Sequence, residues 1–121
     1  MDASSPAATG NVRGTTISGN TATGASGGGG FRSLDGNFNF TSSFIRDNTS
    51  VGSGGGATFA GGTANFVGVD VINNITSTNG GGVAVLGTNF NYTVGHINNN
   101  QANGAISTGG GVSIAAAVVD L

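Results

Sequence analysis

The side chains that could perform acid–base chemistry in this chain are few. Three basic residues, five acidic residues and His96 carry the charge near neutral pH, and the sequence has neither lysine nor glutamate. Asp70 precedes His96 by one repeat of the sequence, so the two are expected within about 5 Å of each other on adjacent coils. Ser43, one position over, would be the nucleophile if the three residues formed the catalytic triad of a serine hydrolase. Their column otherwise holds only Thr16 and Phe44, so we predict that the chain is not an enzyme.

Phosphate, metal and cofactor chemistry also find little support in the sequence. The glycine triplets at 28–30, 54–56, 80–82 and 109–111 do not continue to the Gly-Lys-Ser/Thr of a phosphate-binding loop. Cysteine is absent, so the chain can form neither disulfides nor thiolate metal sites. We therefore predict no cofactor and no catalytic, cofactor-binding or metal-ligating residue.

Length and composition favour a single folded domain. The 121 residues suit one modest core, and 25 of them are glycine. A formal net charge of −2 is too small for a disordered acidic chain and has the wrong sign for a nucleic-acid-binding surface. No window approaches the roughly 18 consecutive apolar residues of a membrane helix, so no membrane span is expected.

The sequence repeats with a period of 26 residues. Aligning the first three glycine triplets also aligns an asparagine twenty positions after the start of each, namely Asn48, Asn74 and Asn100. The fourth triplet comes three residues late, and the extra residues fall between Asn100 and Gly109. A unit of this size cannot bury its apolar face alone, so the repeats must stack on one another.

Superposing the repeats produces columns of like residues. One column is mainly aromatic (Val12, Phe40, Phe66, Tyr92 and Leu121) and a second is aliphatic (Ile17, Ile45, Val71 and Ile97). Two asparagine columns flank them, and we predict that both form ladders at turns: Asn11, Asn39, Asn65 and Asn91, closed by Asp120, and Asn20, Asn48, Asn74 and Asn100.

These patterns predict an all-β parallel solenoid of about four to five coils, each of about 26 residues with two or three short strands. One domain spans residues 1–121, with coils near 1–27, 28–53, 54–79 and 80–108 and a partial coil at 109–121. Helical repeats are the competing architecture. Abundant glycine and β-branched residues make helices costly here.

The motif at 17–22 leading into 27–31 resembles the F-x-x-N and G-G-A-[ILV] repeat of chlamydial polymorphic outer-membrane proteins and related bacterial surface β-helices. Aliphatic residues stand where that family usually has Phe, and a third glycine replaces or precedes the Ala, as in 81–84. The resemblance covers residues 11 to about 115. It implies a right-handed β-helix of the pectin-lyase type that is secreted and lies at the cell surface.

The two ends of the predicted stack carry apolar strand positions without a helical or charged cap. Complementary open ends make a head-to-tail contact that does not close, and such a contact produces a filament. We therefore predict a structural subunit that self-assembles into an extracellular or cell-surface β-solenoid filament. The predicted assembly interface comprises Val12, Ile17, Val112, Ile114 and Leu121.

Two other functions stay open from the sequence. A surface adhesin or glycan-binding module, as a fragment of a longer passenger, would use the side of the rod through Phe44, Asp70 and His96. A carbohydrate-active enzyme is the third alternative. The expected partner is thus another copy of the chain, with a glycan or a cell surface as the alternative, and not nucleic acid.

Overall fold

The computed structural model describes residues 2–3, 8–115 and 118–120, and in these residues the protein is an all-β solenoid of parallel strands. The predicted fold class is confirmed. No helix that could cross a membrane occurs in this described part of the chain. Its strands, in chain order, are β1 (Asp2–Ala3), β2 (Thr9–Arg13), β3 (Thr16–Ser18), β4 (Thr21–Ala22), β5 (Phe31–Thr41), β6 (Phe44–Arg46), β7 (Thr49–Ser50), β8 (Ala57–Val67), β9 (Asp70–Ile72), β10 (Ile75–Thr76), β11 (Val83–Leu86), β12 (Asn89–Thr93), β13 (Ile97–Asn98), β14 (Gln101–Ala102), β15 (Val112–Ala115) and β16 (Val118–Asp120).

The strands form three parallel sheets that run along the stack. Sheet A contains β1, β2, β5, β8, β11, β12, β15 and β16. Sheet B contains β3, β6, β9 and β13, and sheet C contains β4, β7, β10 and β14. Each complete coil therefore passes once through each sheet, in the order A, B, C.

Cross-strand pairing follows the repeat of the sequence. Phe40 pairs with Phe66 in sheet A, and Ile45 pairs with Val71 in sheet B. The coils stack in register, so that equivalent residues lie about 4.8 Å apart along the axis. The extra residues of the fourth coil lie in the segment between β14 and the last glycine triplet and leave this register intact.

A column of aromatic rings forms the core. The ring centroids of Phe40 and Phe66 are 4.8 Å apart, and those of Phe66 and Tyr92 are 6.1 Å apart. Phe31 and Phe59 pack edge to face against this column, at 5.1 Å from Phe40 and 5.7 Å from Phe66 respectively. Edge-to-face pairs of this kind add to the free energy gained from burial.

A second inward column of sheet A was missed by the column analysis of the sequence. Gly10, Phe38, Ala64 and Phe90 pair in register, and Phe38, Ala64 and Phe90 are buried. The residue types vary along this column because the ring of Phe38 also fills the space beside Gly10. A Cβ on Gly10 would lie 2.7 Å from the Phe38 ring, so glycine is needed beneath that ring.

The glycine triplets form the corner between sheets C and A. The first glycine of a triplet has a positive φ, as at Gly54 (75°). A Cβ on the middle glycine would collide with the next coil, since at Gly55 it would lie 2.3 Å from the carbonyl oxygen of Gly81. A Cβ on the third would crowd a buried asparagine, at 3.0 Å from Cγ of Asn74 in the case of Gly56.

The turn predicted at the first asparagine column does not form there. Asn39, Asn65 and Asn91 lie inside β5, β8 and β12, and their side chains are on the outer face of sheet A. Strand alternation explains this placement, because the neighbouring positions on either side turn inward into the aromatic core. Asn48 and Asn74 occupy the bend between sheets B and C.

Candidate functional site

A buried amide ladder runs along the axis and consists of Asn20, Asn48, Asn74 and Asn100. Asn48 and Asn74 are 0% exposed. Nδ2 of Asn20 donates to Oδ1 of Asn48 at 3.0 Å, Nδ2 of Asn48 to Oδ1 of Asn74 at 3.0 Å, and Nδ2 of Asn74 to Oδ1 of Asn100 at 2.9 Å. Each of these oxygens also accepts the backbone N–H of the preceding ladder residue.

The main chain fixes the direction of the buried amide ladder. Nδ2 of Asn48 also donates to the carbonyl of Ile17 at 3.0 Å, and Nδ2 of Asn74 donates to the carbonyl of Ile45 at 2.9 Å. A carbonyl can only accept, so the nitrogen of each amide must face it. Every ladder bond therefore runs from an earlier coil to a later one, and Asn100, whose Nδ2 donates to Val71, lies at the donor end.

An exposed amide ladder lies on the outer face of sheet A and consists of Asn11, Asn39, Asn65 and Asn91. Its Nδ2–Oδ1 distances are 3.0, 2.8 and 2.7 Å, and each bond runs from a later coil to an earlier one. Asp120 follows in the same column, paired with Asn91. An ionised carboxylate has no donor, so Asp120 cannot extend the ladder in the same way.

The residues predicted for assembly lie on the outermost described strands. Val12 on β2 is half-buried, Ile17 on β3 is 9% exposed, Val112 on β15 is half-buried and Ile114 on β15 is 45% exposed. Leu121 falls outside the described residues. These strands are outermost at opposite ends of the stack, so the structure places the predicted residues in two groups, one at each end.

Exposure at the last coil reflects the lack of a covering strand among the described residues. Val85 is fully buried, whereas Ile114, its partner in the next coil, is not. In sheet B, Val71 is fully buried and its partner Ile97 is only half-buried. β15, through Ile114, and β13, through Ile97, therefore both present apolar side chains at the same end of the stack.

Sheet A is one layer taller than sheets B and C in the described part of the chain. The column of the exposed amide ladder is occupied by β2, β5, β8, β12 and β16. Sheet B contributes β3, β6, β9 and β13, and sheet C likewise has four strands. In these residues the end of the stack that carries β15 and β16 is therefore stepped by one layer, whereas β2, β3 and β4 form a complete first layer at the other end.

A separate polar cluster lies on the outer face of sheet B. Oδ1 of Asp70 is 3.0 Å from Nδ1 of His96 and accepts the His96 backbone N–H at 2.9 Å. Phe44 pairs with Asp70 in the neighbouring coil, and its side chain is 44% exposed. An aromatic ring, a carboxylate and an imidazole thus form one outward column.

Ser43 does not join this column. It is 1% exposed, its hydroxyl donates to the carbonyl of Thr41 at 2.9 Å, and its oxygen accepts the backbone N–H of Thr15 at 3.2 Å. Asp70 and His96 face outward while Ser43 turns into the coil. The arrangement that a serine hydrolase needs is therefore not assembled from these three residues.

Tyr92 is the titratable group whose environment is most altered among the described residues. Burial, assisted by the negative charge of Asp70, raises the pKa of Tyr92 to about 12. Its hydroxyl donates to the carbonyl of Val69 at 2.5 Å. The side chain belongs to the aromatic column, so its role is in packing.

Sequence reasoning identified the asparagine columns but not the direction of their hydrogen bonds. The carbonyls that orient Asn48 and Asn74 belong to residues 31 and 29 positions earlier. No local motif carries that information. The step at one end of the described stack was also missed, because it depends on which sheet β15 and β16 join.

The repeat register and the parallel strands describe a β-solenoid of about four turns. The likeness to chlamydial surface β-helices is carried by the repeat motifs alone. Comparisons of the chain with protein-family models, with curated proteins and with solved structures find no match.

Proposed function

We propose that this chain is a structural subunit that assembles head to tail into an extracellular or cell-surface β-solenoid filament. The partner is a second copy of the chain, and the function resides in the polymer. The likeness of the repeats to bacterial surface β-helices supports the location. The assembly itself is argued from the two ends of the stack.

The direction of the buried amide ladder is the observation that carries the proposal. At one end Asn100 presents its backbone N–H along the axis, and at the other end Asn20 presents Oδ1. One end therefore offers a donor where the other offers an acceptor, in the same column. The opposite partial charges of these two groups favour contact between unlike ends over contact between like ends.

The apolar columns support the same contact. Ile97 at one end and Ile17 at the other belong to one column of sheet B, in which Ile45 and Val71 are fully buried. A neighbouring copy placed on Ile97 would bury it as Val71 is buried within the chain. The outward columns carry few charges, so stacking brings few like charges together.

Electron microscopy of the purified chain tests the proposal. We expect unbranched filaments one solenoid wide that lengthen as the protein concentration rises, because each added copy exposes a fresh end. Sedimentation velocity should show the matching loss of monomer. A chain that stays monomeric at every concentration would contradict the proposal.

A matched pair of lysine variants separates assembly from folding. Ile97→Lys puts a charge into the column that the contact would bury, whereas in the free chain the lysine can extend into solvent from the outermost strand. Asn98→Lys adds the same charge to the next residue, whose side chain is exposed. We expect folded monomer and no filament from Ile97→Lys, and normal filaments from Asn98→Lys.

Glycan binding is the second candidate function, and the outward column of Phe44, Asp70 and His96 favours it. An exposed aromatic face beside hydrogen-bonding groups suits the apolar and hydroxyl-bearing sides of a sugar. A glycan array with the wild-type chain and with Phe44→Ala tests this candidate. Binding that Phe44→Ala abolishes would support it, and the absence of any bound glycan would remove it.

A further inference from the structure

The outer face of sheet A carries a regular set of uncharged side chains, the outer array. It consists of the first, third and fifth residues of 37–41 on β5, 63–67 on β8 and 89–93 on β12, which face outward and read Asn-Asn-Thr, Thr-Asn-Val and Asn-Asn-Thr. The register aligns these rows into three columns. Rows lie about 4.8 Å apart along the axis and columns about 6.7 Å apart, since that is the length of two strand residues.

The exposed amide ladder, which forms the middle column, holds the outer array flat. Its Nδ2–Oδ1 distances stay between 2.7 and 3.0 Å over all three steps. Outward side chains could not keep such contacts if successive strands were strongly rotated against one another. The same bonds fix the orientation of each amide before any ligand arrives, so binding orders few side chains. The outer array is therefore rigid as well as regular.

The ladder leaves each amide able to bond outward. Asn65 donates one N–H to Oδ1 of Asn39, and its own Oδ1 accepts one hydrogen bond from Asn91. A primary amide has two N–H groups and two oxygen lone pairs, so one donor and one acceptor remain for a ligand. The threonine hydroxyls of the same rows can also donate and accept. The outer array thus offers donors and acceptors at fixed spacings in two directions.

The ligand that suits such a surface is itself a lattice. A small molecule would contact two or three of these groups, whereas a periodic surface contacts every row, and each contact after the first is intramolecular. The outer array has no charged side chain, and the rings beside it, such as those of Phe40 and Phe66, are buried.

These properties favour ordered water over a sugar surface. The apolar faces of sugar rings pack on exposed aromatic side chains, and the outer array has none. The water molecules at a surface of ice are uncharged, offer only hydrogen-bond donors and acceptors, and are fixed at separations comparable to those of the outer array.

We propose that the outer array binds the surface of ice. Adsorbed copies would keep water molecules from adding to the surface that they cover, so that the crystal grows only at a lower temperature. The outer array lies on the side of the rod, and a single copy carries all of it. The proposal is therefore independent of the filament.

The difference between the melting and growth temperatures of single ice crystals tests this proposal. Asn65→Lys puts a long, charged side chain at the centre of the outer array, and Val67→Lys does so in the same row at a residue that is 47% exposed. Asn98→Lys is the matched control, because it makes the same substitution at an exposed asparagine of sheet B. Circular dichroism checks that each variant keeps its strands.

We expect the wild type and Asn98→Lys to lower the growth temperature below the melting temperature, and Asn65→Lys and Val67→Lys to lose this effect. A folded wild-type chain that leaves ice growth unchanged would overturn the proposal, as would an effect that both array variants retain. Sedimentation with powdered cellulose or chitin is the second arm. Wild-type binding there that both array variants lose, without any effect on ice, would assign the outer array to a crystalline polysaccharide instead.

Discussion

At the residue scale, the two asparagine ladders differ in what surrounds them. In the buried amide ladder, Asn74 accepts two hydrogen bonds from Asn48 and donates to Ile45 and Asn100. In the exposed amide ladder, Asn65 makes its amide bonds where water can replace them. Removal of a buried partner leaves unsatisfied groups, and removal of an exposed partner does not.

Asn74→Ala should therefore destabilise the chain strongly. It leaves the buried Asn48 backbone N–H without its acceptor and removes the hydrogen bond that the Ile45 carbonyl accepts from Asn74, and an unsatisfied buried group costs about 1–3 kcal/mol. We expect the free energy of unfolding to fall by about 3 kcal/mol or more, measured by urea denaturation monitored by circular dichroism. Asn65→Ala is the control, with an expected loss of about 1 kcal/mol or less. Equal losses would contradict the account of the buried ladder.

Tyr92 should make stability depend on pH in the alkaline range. Its pKa is raised from 10.0 to about 12, first by burial and then by the charge of Asp70. The folded chain thus holds the phenolic proton more tightly than the unfolded chain does, and this contribution is complete below pH 10 and declines as the pH rises towards 12. We expect the urea midpoint to fall over that interval in the wild type.

Tyr92→Phe is the control for this titration. It removes the phenol, so its urea midpoint should lack the component that the wild type loses between pH 10 and 12. Because Tyr92 is the single tyrosine of the chain, phenolate absorbance reports its titration directly. A titration centred near 10 in the folded protein would show that the phenol is not buried.

At the element scale, the period of the sequence predicts the strands and their pairing, because superposed columns of like residues are what stacked coils require. Phe40 with Phe66 and Ile45 with Val71 are paired as the columns predict. The placement of the Asn39 column was wrong, since abundant asparagine suggested turns while the flanking phenylalanines place it in a strand. The direction of the ladders depends on distant carbonyls, and no local sequence pattern encodes them.

Gly55→Ala tests the close approach of coils at the glycine corner. The new Cβ would lie 2.3 Å from the Gly81 carbonyl oxygen and 2.6 Å from that of Ile75, and both atoms belong to backbone that cannot move without breaking the stack. We expect a loss of at least about 3 kcal/mol in the free energy of unfolding.

Gly24→Ala is the matched control for the corner. A Cβ on Gly24 meets nothing within 4 Å, and its φ is not in the left-handed region. The substitution should leave the free energy of unfolding unchanged or raise it by up to about 1 kcal/mol, because alanine lowers the conformational entropy of the unfolded chain. Similar thermal midpoints for the two variants would contradict the spacing that the structure gives to the corner.

At the scale of the whole molecule, the parallel register brings equivalent residues of every coil into one column. The sequence predicts these columns, but the step at one end of the described stack depends on β15 and β16 joining sheet A, which is a property of the folded coil. In the proposed filament, Asn20 of the next copy lies on Asn100 and continues the buried amide ladder.

Helical reconstruction from electron micrographs of the assembled chain tests the central claim, head-to-tail stacking, most directly. The account predicts that the strand spacing of about 4.8 Å continues in sheet B from one copy to the next, with Asn20 of the next copy on Asn100. A chain that stays monomeric, or a filament in which like ends meet, would contradict it.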